Sequence, residues 1–251
     1  MDKYKIWFIL LKISEESKVK LIEKYNNEEN IYNNIDNIIN ENEINRFFIS
    51  RLKHRNTIEE EAFEEYLHKN GIKYVTLASE LYPQKLKSIN NPPYVLFYKG
   101  DLSIINNNLN IAMVGSRKPT PYGIDCAQKI SYELSQRNIN IISGLAFGID
   151  SCSHRGCMKG NGKTIAVLAS SLENITPRSN EKLANEILED GGLLISEYNV
   201  GHIVPRGCFP SRNRILSGIS DGIIVVEAAQ KSGALITADL GMEQGKNIFA
   251  I

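Results

Sequence analysis

The stretch IAMVGSRKPTPYG, residues 111–123, joins a short apolar run to a glycine and then to a proline-containing turn. A short apolar run bounded by turn residues is typical of a buried strand. Amphipathic stretches of helix length separate it from five further runs of the same kind: INII (139–142), TIAVL (164–168), LLIS (193–196), GIIVV (222–226) and NIFAI (247–251). This alternation predicts an α/β fold, an extended Rossmann-like and mostly parallel sheet with helices on both faces.

The residues before this region differ from it in amino-acid composition. Residues 1–70 are rich in Asn, Glu, Lys and Ile, with apolar residues at helical spacing, as in Ile35, Ile38 and Ile39. The segment 57–71 begins with a capping-box pattern, Thr57-x-x-Glu60, and ends at Gly71. We therefore predict a small all-helical domain over residues 1–70.

Residues 71–110 contain three prolines and predict an extended connector with one strand, Tyr94 to Tyr98. We group this connector with the sheet in a second domain, residues 71–251. The last apolar run ends at Ile251, the final residue. We therefore expect the natural chain to be longer.

Composition limits the kinds of partner. The 251 residues have a formal net charge of zero, so any anion site must come from local clustering of cations. Neither a signal peptide nor a long apolar span is found in the sequence, which predicts a cytoplasmic protein. The four cysteines form no CxxC pair, and the spacing of Cys152 and Cys157 around His154 does not favour zinc. We expect buried thiols, and neither a metal nor a cofactor.

Basic residues and glycines follow the predicted strands. Ligands of an open parallel sheet bind outside the carboxyl ends of its strands, where glycines let backbone N–H groups approach an anion. Cations from several separate loops suit a string of phosphates better than a single one. The residues concerned are Gly115, Ser116, Arg117 and Lys118 after the first strand of the sheet, Gly144 after the second, Arg178 after the third, and Arg206, Arg212 and Arg214 after the fourth.

Two phosphate-binding motifs are excluded. GNGKT (160–164) has Cys157 where a P-loop needs its first glycine, and it precedes a strand instead of following one. The segment GSRKPTPYG lacks GxGxxG, and the second strand ends in Ser143 instead of an acid for a ribose, which excludes a dinucleotide site.

The acids near the strand ends allow two interpretations. Glu197, Glu227, Asp150 and His154 could form an acid–base set, or the acids could orient arginines and cap helices. We favour the second interpretation and predict no catalytic residue.

The segment from Tyr82 to the end resembles the DNA-processing protein A family (DprA, also called Smf). The resemblance covers about two thirds of the chain and rests on an ordered series of motifs: YPQKL, NPPYVLFYKG, VGSRKPTPYG, SGLAFGIDSCSH, GKTIAVLASSL, LLISEY, FPSRNRILSGIS, VVEA and SGALITA. The N-terminal part looks like that family's small sterile-alpha-motif-like or helix-hairpin-helix-like domain. Such proteins bind single-stranded DNA, help load the RecA recombinase on it during natural transformation and recombination, and form homodimers.

The resemblance also implies roles for single residues. Arg117 would be the main phosphate contact, with Gly115 and Ser116 as further donors. Arg178 follows Pro177, as a basic residue does in the family, although Thr176 replaces the usual tyrosine before that proline. The family's RNR triplet corresponds to Arg212, Asn213 and Arg214, of which at least one arginine would pair with Glu197 or Glu227; Phe209 would stack on DNA, and His202 lies in a loop that contacts DNA in some members.

We therefore predict a single-stranded DNA-binding protein that is not an enzyme. The alternative is a nucleotide phosphoribohydrolase of the lysine-decarboxylase-like Rossmann group, in which a glutamate would assist glycosidic cleavage. That group has a PGGxGTxxE signature, whereas SGALITADLGMEQG occupies the comparable region of this chain.

Overall fold

The computed structural model describes residues 3–40, 57–205, 207–230 and 232–251, without the side chains of Thr57 and Ile58. The chain divides into two compact units, Met1–Tyr82 with Asn90–Val95, and Pro83–Ile89 with Leu96–Ile251. The first unit therefore extends past residue 70 and includes parts of the predicted connector.

The described part of the first unit is mainly helical. Ser14 caps α2, where its hydroxyl accepts a hydrogen bond from the Ser17 N–H at 3.2 Å. The predicted helical N-terminal region is confirmed, while residues 41–56 and the capping contact of Thr57 lie outside the described residues. The helices are α1 Lys3–Leu10, α2 Glu15–Tyr25, α3 Glu28–Asn33, α4 Ile35–Asn40 and α5 Thr57–Lys69.

The core of this unit includes a tyrosine from the predicted connector. The buried ring of Tyr94 packs edge-on against Phe8 with centroids 4.9 Å apart, and its hydroxyl donates to Glu28 Oε1 at 2.7 Å. Burial and the Glu28 carboxylate raise the pKa of Tyr94, which keeps it protonated as a donor. A short strand, β1 Lys73–Thr76, was not predicted because four residues with two buried side chains give little periodicity.

The second unit contains the predicted sheet, and the fold class is confirmed. From β2 onward the strand order is β2-β6-β5-β4-β3-β7-β8. β2 runs antiparallel to its neighbour β6, and the pairs β6–β5, β5–β4, β4–β3, β3–β7 and β7–β8 are parallel. All six runs that we predicted as sheet strands are strands: β3 Asn110–Val114, β4 Asn140–Ser143, β5 Thr164–Val167, β6 Leu193–Ser196, β7 Gly222–Val225 and β8 Asn247–Ala250, next to β2 Val95–Gly100.

Helices cover both faces of this sheet. Every residue of β4, β5, β6 and β7 is buried, whichever face its side chain points to. Because side chains alternate between the two faces of a strand, both faces must be packed. The helices of this unit are α6 Gln84–Lys87, α7 Ile104–Asn107, α8 Pro121–Ser135, α9 Ile149–Cys157, α10 Glu181–Glu189, α11 Cys208–Gly218 and α12 Gly233–Glu243, with a 3₁₀ turn at Arg178–Asn180.

Candidate nucleic-acid interface

The strand order reverses at β3, which has β4 on one side and β7 on the other. In open α/β sheets the crevice outside the carboxyl ends at such a reversal is the usual ligand site. A cavity of about 670 Å³ opens there, between the loop after β3 and the starts of α11 and α12. The predicted binding residues that line it are Gly115, Ser116, Arg117, Phe209, Arg212 and Asn213.

The Gly-Ser-Arg loop is held from two neighbouring strand ends. Ser116 donates its N–H to the Glu227 carbonyl at 2.8 Å, and its own carbonyl accepts from the Ile149 N–H at 3.1 Å. A Cβ on Gly115 would lie 2.6 Å from the Ile149 side chain. Gly148 has φ +74, and a Cβ there would lie 2.3 Å from the Ser116 carbonyl oxygen. The glycines therefore allow a close approach that fixes the position of Arg117.

The other end of this loop is held by Glu227, which adopts φ 66, an uncommon value for a residue other than glycine. Its carboxylate accepts from the Thr120 N–H at 2.9 Å and from the Thr120 hydroxyl at 2.7 Å. Thr120 in turn caps α8. Glu227 thus fixes the start of a helix, as one of our two interpretations of the acids predicted.

Arg117 is exposed at the mouth of the cavity, and its guanidinium lies over the Phe209 ring, 5.3 Å from the centroid. This cation–π contact orients the side chain without neutralising its charge. In the described part of the chain, no carboxylate lies within 4.0 Å of Arg117, Lys118 or Arg178. Their charges therefore remain available to an anionic ligand.

Arg212 is placed in the interior and not on the surface. It is 5% exposed, and its guanidinium donates to the carbonyls of Gly144, at 2.9 Å, and Val167. A Cβ on Gly144 would lie 2.4 Å from the guanidinium, so that glycine makes room for the arginine. Through these bonds Arg212 and Gly144 hold the loops of the site together. Direct DNA contacts of the two residues stay a prediction.

Asn213 and Arg214 are also occupied by protein partners. Asn213 accepts from the Arg212 Nε at 3.1 Å and donates to the Gly233 carbonyl at 3.3 Å. Arg214 forms a two-pronged pair with Glu197, at 2.8 and 2.6 Å, with side chains only 13% and 7% exposed. This is the Arg–Glu pair expected for one residue of the triplet, and it leaves Arg214 outside the wall of the cavity.

His202 lines a second cavity of about 520 Å³, which also has Phe209 in its wall. The His202 ring stacks on Tyr198 at 4.5 Å, and its Nε2 lies 3.4 Å from Cys208 Sγ. Phe209 therefore separates the two predicted DNA-contacting regions. Arg206, which the strand-end pattern also indicated, lies outside the described residues.

The candidate acid–base residues are engaged in structural contacts. Asp150 is buried and accepts from the N–H groups of Gly144, at 3.1 Å, and Ala146, at 3.3 Å. Burial raises the pKa of Asp150, and the Arg212 guanidinium opposes that rise. His154 is buried with Nδ1 2.6 Å from Thr164 Oγ1, and burial lowers its pKa to about 3. Of these acids and His154, only Asp150 lines the 670 Å³ cavity.

Asn180 is a positioning residue that was not predicted from the sequence. Asn180 is buried and donates from Nδ2 to the carbonyls of Leu145, at 2.9 Å, and Ala146, at 3.2 Å. It thereby ties the loop after β4 to the turn that contains Arg178. An asparagine two residues after a basic residue has no distinctive pattern, so only the folded arrangement reveals it.

The described residues include no group of three or more His, Cys, Asp and Glu side chains placed to hold a metal ion. None of the described helices is long and apolar enough to cross a membrane. All four cysteines are free thiols.

The chain is similar in sequence and in fold to several known proteins. The DNA processing protein DprA of Bacillus subtilis is 42% identical over 181 residues, which make up 72% of this chain and 61% of that protein. The X-ray structure of DNA processing protein A from Streptococcus pneumoniae has a TM-score of 0.85 at 29% identity, covering 100% of this chain and 86% of that one. A structure that describes the single-stranded DNA binding mode of DNA processing protein A from Helicobacter pylori has a TM-score of 0.65 at 31% identity, covering 71% of this chain and 80% of that one.

The coverage of the curated relatives is partial. The chain spans about half to three fifths of the length of the first relatives it matches. The family model described as DNA recombination-mediator protein A matches residues 73–251, which include all the strands from β1 to β8. The chain therefore belongs to the DNA recombination-mediator protein A family.

Proposed function

We propose that this chain binds single-stranded DNA, with little sequence preference, along the carboxyl edge of its sheet. The observation that supports this most directly is Arg117: an exposed cation with no carboxylate in reach among the described residues, placed over an aromatic ring at the mouth of a cavity. Cations that follow a backbone and aromatic faces that accept any base are the two elements of such binding.

The arrangement suits a strand better than a single nucleotide. Arg117 and Arg178 are exposed on the loops after β3 and β5, which β4 separates in the sheet. The two cavities share Phe209 in their walls and are therefore neighbours. An extended polyanion can use both cations at once, whereas one phosphate can use only one.

A binding role fits the acids better than a catalytic one. Hydrolysis of a nucleotide would need a glutamate at the cavity, but Glu197 is paired with Arg214, and Glu227 is bonded to Thr120. We expect no free base to appear when the protein is incubated with nucleoside monophosphates. Release of free base at a rate proportional to protein concentration would favour the phosphoribohydrolase instead.

The test is fluorescence anisotropy of a labelled oligo-dT at several salt concentrations, with a duplex of equal length as competitor. We expect salt-sensitive binding to the single strand that duplex competes for poorly. Arg117→Ala should weaken binding about tenfold and reduce the slope of log K against log salt by about 0.7, the value for one lost phosphate contact on a single strand.

Arg137→Ala is the matched control. Arg137 is an exposed arginine just after α8, at the amino edge of the sheet, opposite the proposed interface. Arg137→Ala changes the net charge as Arg117→Ala does, but at the opposite edge of the sheet. It should therefore leave the affinity for oligo-dT and the salt slope nearly unchanged. Equal behaviour of the two variants would contradict the assignment of Arg117.

We further propose that the cytoplasmic partners are RecA, loaded on the bound strand in transformation and recombination, and a second copy of this chain. Exposed apolar side chains at the β8 end of the sheet, Met242 at 58% and Phe249 at 53%, support a homodimer through the Rossmann-like unit. Sedimentation velocity should show a dimer that Phe249→Glu weakens. RecA filament assembly on strands coated by another single-strand binder should accelerate when this protein is added.

A further inference from the structure

The loop between β4 and α9 presents one large apolar side chain to solvent. Leu145 in this loop is fully buried, whereas Phe147, two residues later, is 50% exposed. Ala146, between them, lines the 670 Å³ cavity. Phe147 is therefore an exposed aromatic residue that directly follows a residue of the cavity wall.

The exposure of Phe147 is not the result of a loosely held loop. The carbonyls of Leu145 and Ala146 accept hydrogen bonds from Asn180, and the Ala146 N–H donates to the Asp150 carboxylate. Ser151 Oγ adds a further bond to the Ala146 carbonyl at 2.6 Å. The backbone just before Phe147 is thus fixed by three side chains, so the ring extends from a loop that is held in place.

The neighbours of this loop are the two exposed arginines. On one side, Gly148 packs so closely that a Cβ would lie 2.8 Å from the Arg117 carbonyl carbon. On the other side, Asn180 connects the loop to the turn that begins with Arg178. The strand order β5-β4-β3 places the Phe147 loop between the loops of these arginines.

We propose that Phe147 is a base-stacking platform for a single strand whose phosphates contact Arg117 on one side and Arg178 on the other. The inference rests on the proposed function and assigns the path of the strand across the β4 loop. A ring between two cations can stack on a base while the flanking phosphates meet the guanidinium groups. Stacking uses the face that every base has, so this contact adds affinity without sequence preference.

The experiment distinguishes contacts to the bases from contacts to the phosphate backbone. Binding of labelled oligo-dT is compared with binding of an equally long oligonucleotide of abasic sites, for the wild type, Phe147→Ala and Phe147→Trp. We expect Phe147→Ala to weaken oligo-dT binding about tenfold. Its affinity for the abasic strand and its salt slope should match the wild type, and Phe147→Trp should retain tight oligo-dT binding.

Tyr132→Ala is the control for loss of an exposed aromatic. Tyr132 is 40% exposed on the last turns of α8, toward the amino edge of the sheet. Its removal should change neither the affinity for oligo-dT nor the affinity for the abasic strand. Unchanged oligo-dT binding by Phe147→Ala, or an equal loss on the abasic strand, would overturn the stacking role while the proposed function stands. A wild type that binds neither oligonucleotide would overturn both.

Discussion

Substitution of Arg212 tests whether this arginine stabilises the fold by holding loops of the site together. Arg212→Met keeps much of the side-chain volume but removes the donors to the carbonyls of Gly144 and Val167. It also removes the positive charge that opposes the burial of the Asp150 carboxylate. Loss of one member of a buried charged arrangement costs about 3–5 kcal/mol. With a urea m-value of about 2 kcal/mol/M, the unfolding midpoint should fall by about 2 M.

The pH dependence of this loss has a definite sign. Burial already raises the pKa of Asp150 in the folded protein, and removal of the guanidinium raises it further. The folded variant then binds a proton more readily than the unfolded chain, so its stability recovers as pH falls through that raised pKa. The difference in free energy of unfolding between wild type and Arg212→Met should therefore be larger at pH 7 than at pH 4.5.

The assay is urea unfolding followed by far-UV circular dichroism at both pH values. Fluorescence is less suitable because the single tryptophan, Trp7, lies in the first unit. Arg155→Met is the matched control: Arg155 pairs with Glu186 at 3.1 Å on the surface, and such pairs contribute less than about 1 kcal/mol. A midpoint for Arg212→Met no lower than that of Arg155→Met would refute the reasoning.

Buried groups also determine the effects of substitutions at Gly144, His154 and Cys157. Gly144→Ala should lower the free energy of unfolding by about 1–3 kcal/mol because its Cβ would lie 2.4 Å from the Arg212 guanidinium, whereas Gly207→Ala, which has open space, should be nearly neutral in the same urea titration. Burial lowers the pKa of His154 to about 3, so the unfolded chain gains a proton that the folded one does not. Stability should fall by about 2 kcal/mol between pH 6.5 and pH 5, and His154→Gln should lack this decline. Burial raises the pKa of Cys157 to about 11, so Cys157→Ser should leave the number of thiols that react rapidly with Ellman's reagent at pH 8 unchanged; one fewer would contradict the burial.

The sheet strands could be predicted because their signal is local. Each buried parallel strand is a short apolar run between turn residues, and these runs predicted β3 to β8. The carboxyl-edge rule then placed Gly115, Ser116 and Arg117 at one site, where the structure has them lining a cavity. The four-residue strand β1 was missed because too few of its residues alternate to give a pattern.

Local sequence patterns specify the succession of strands and helices, and thus which loops meet at one edge of the sheet. Which side chains on those loops are exposed depends on the tertiary structure. Arg117 and Arg212 both follow strands in the sequence, yet one is exposed and the other bonds to a carbonyl 68 residues away. Phe147 shows the reverse case, a large apolar side chain that the fold leaves half exposed. The physical reason is that burial and charge pairing depend on neighbours from distant parts of the chain, which local periodicity does not encode.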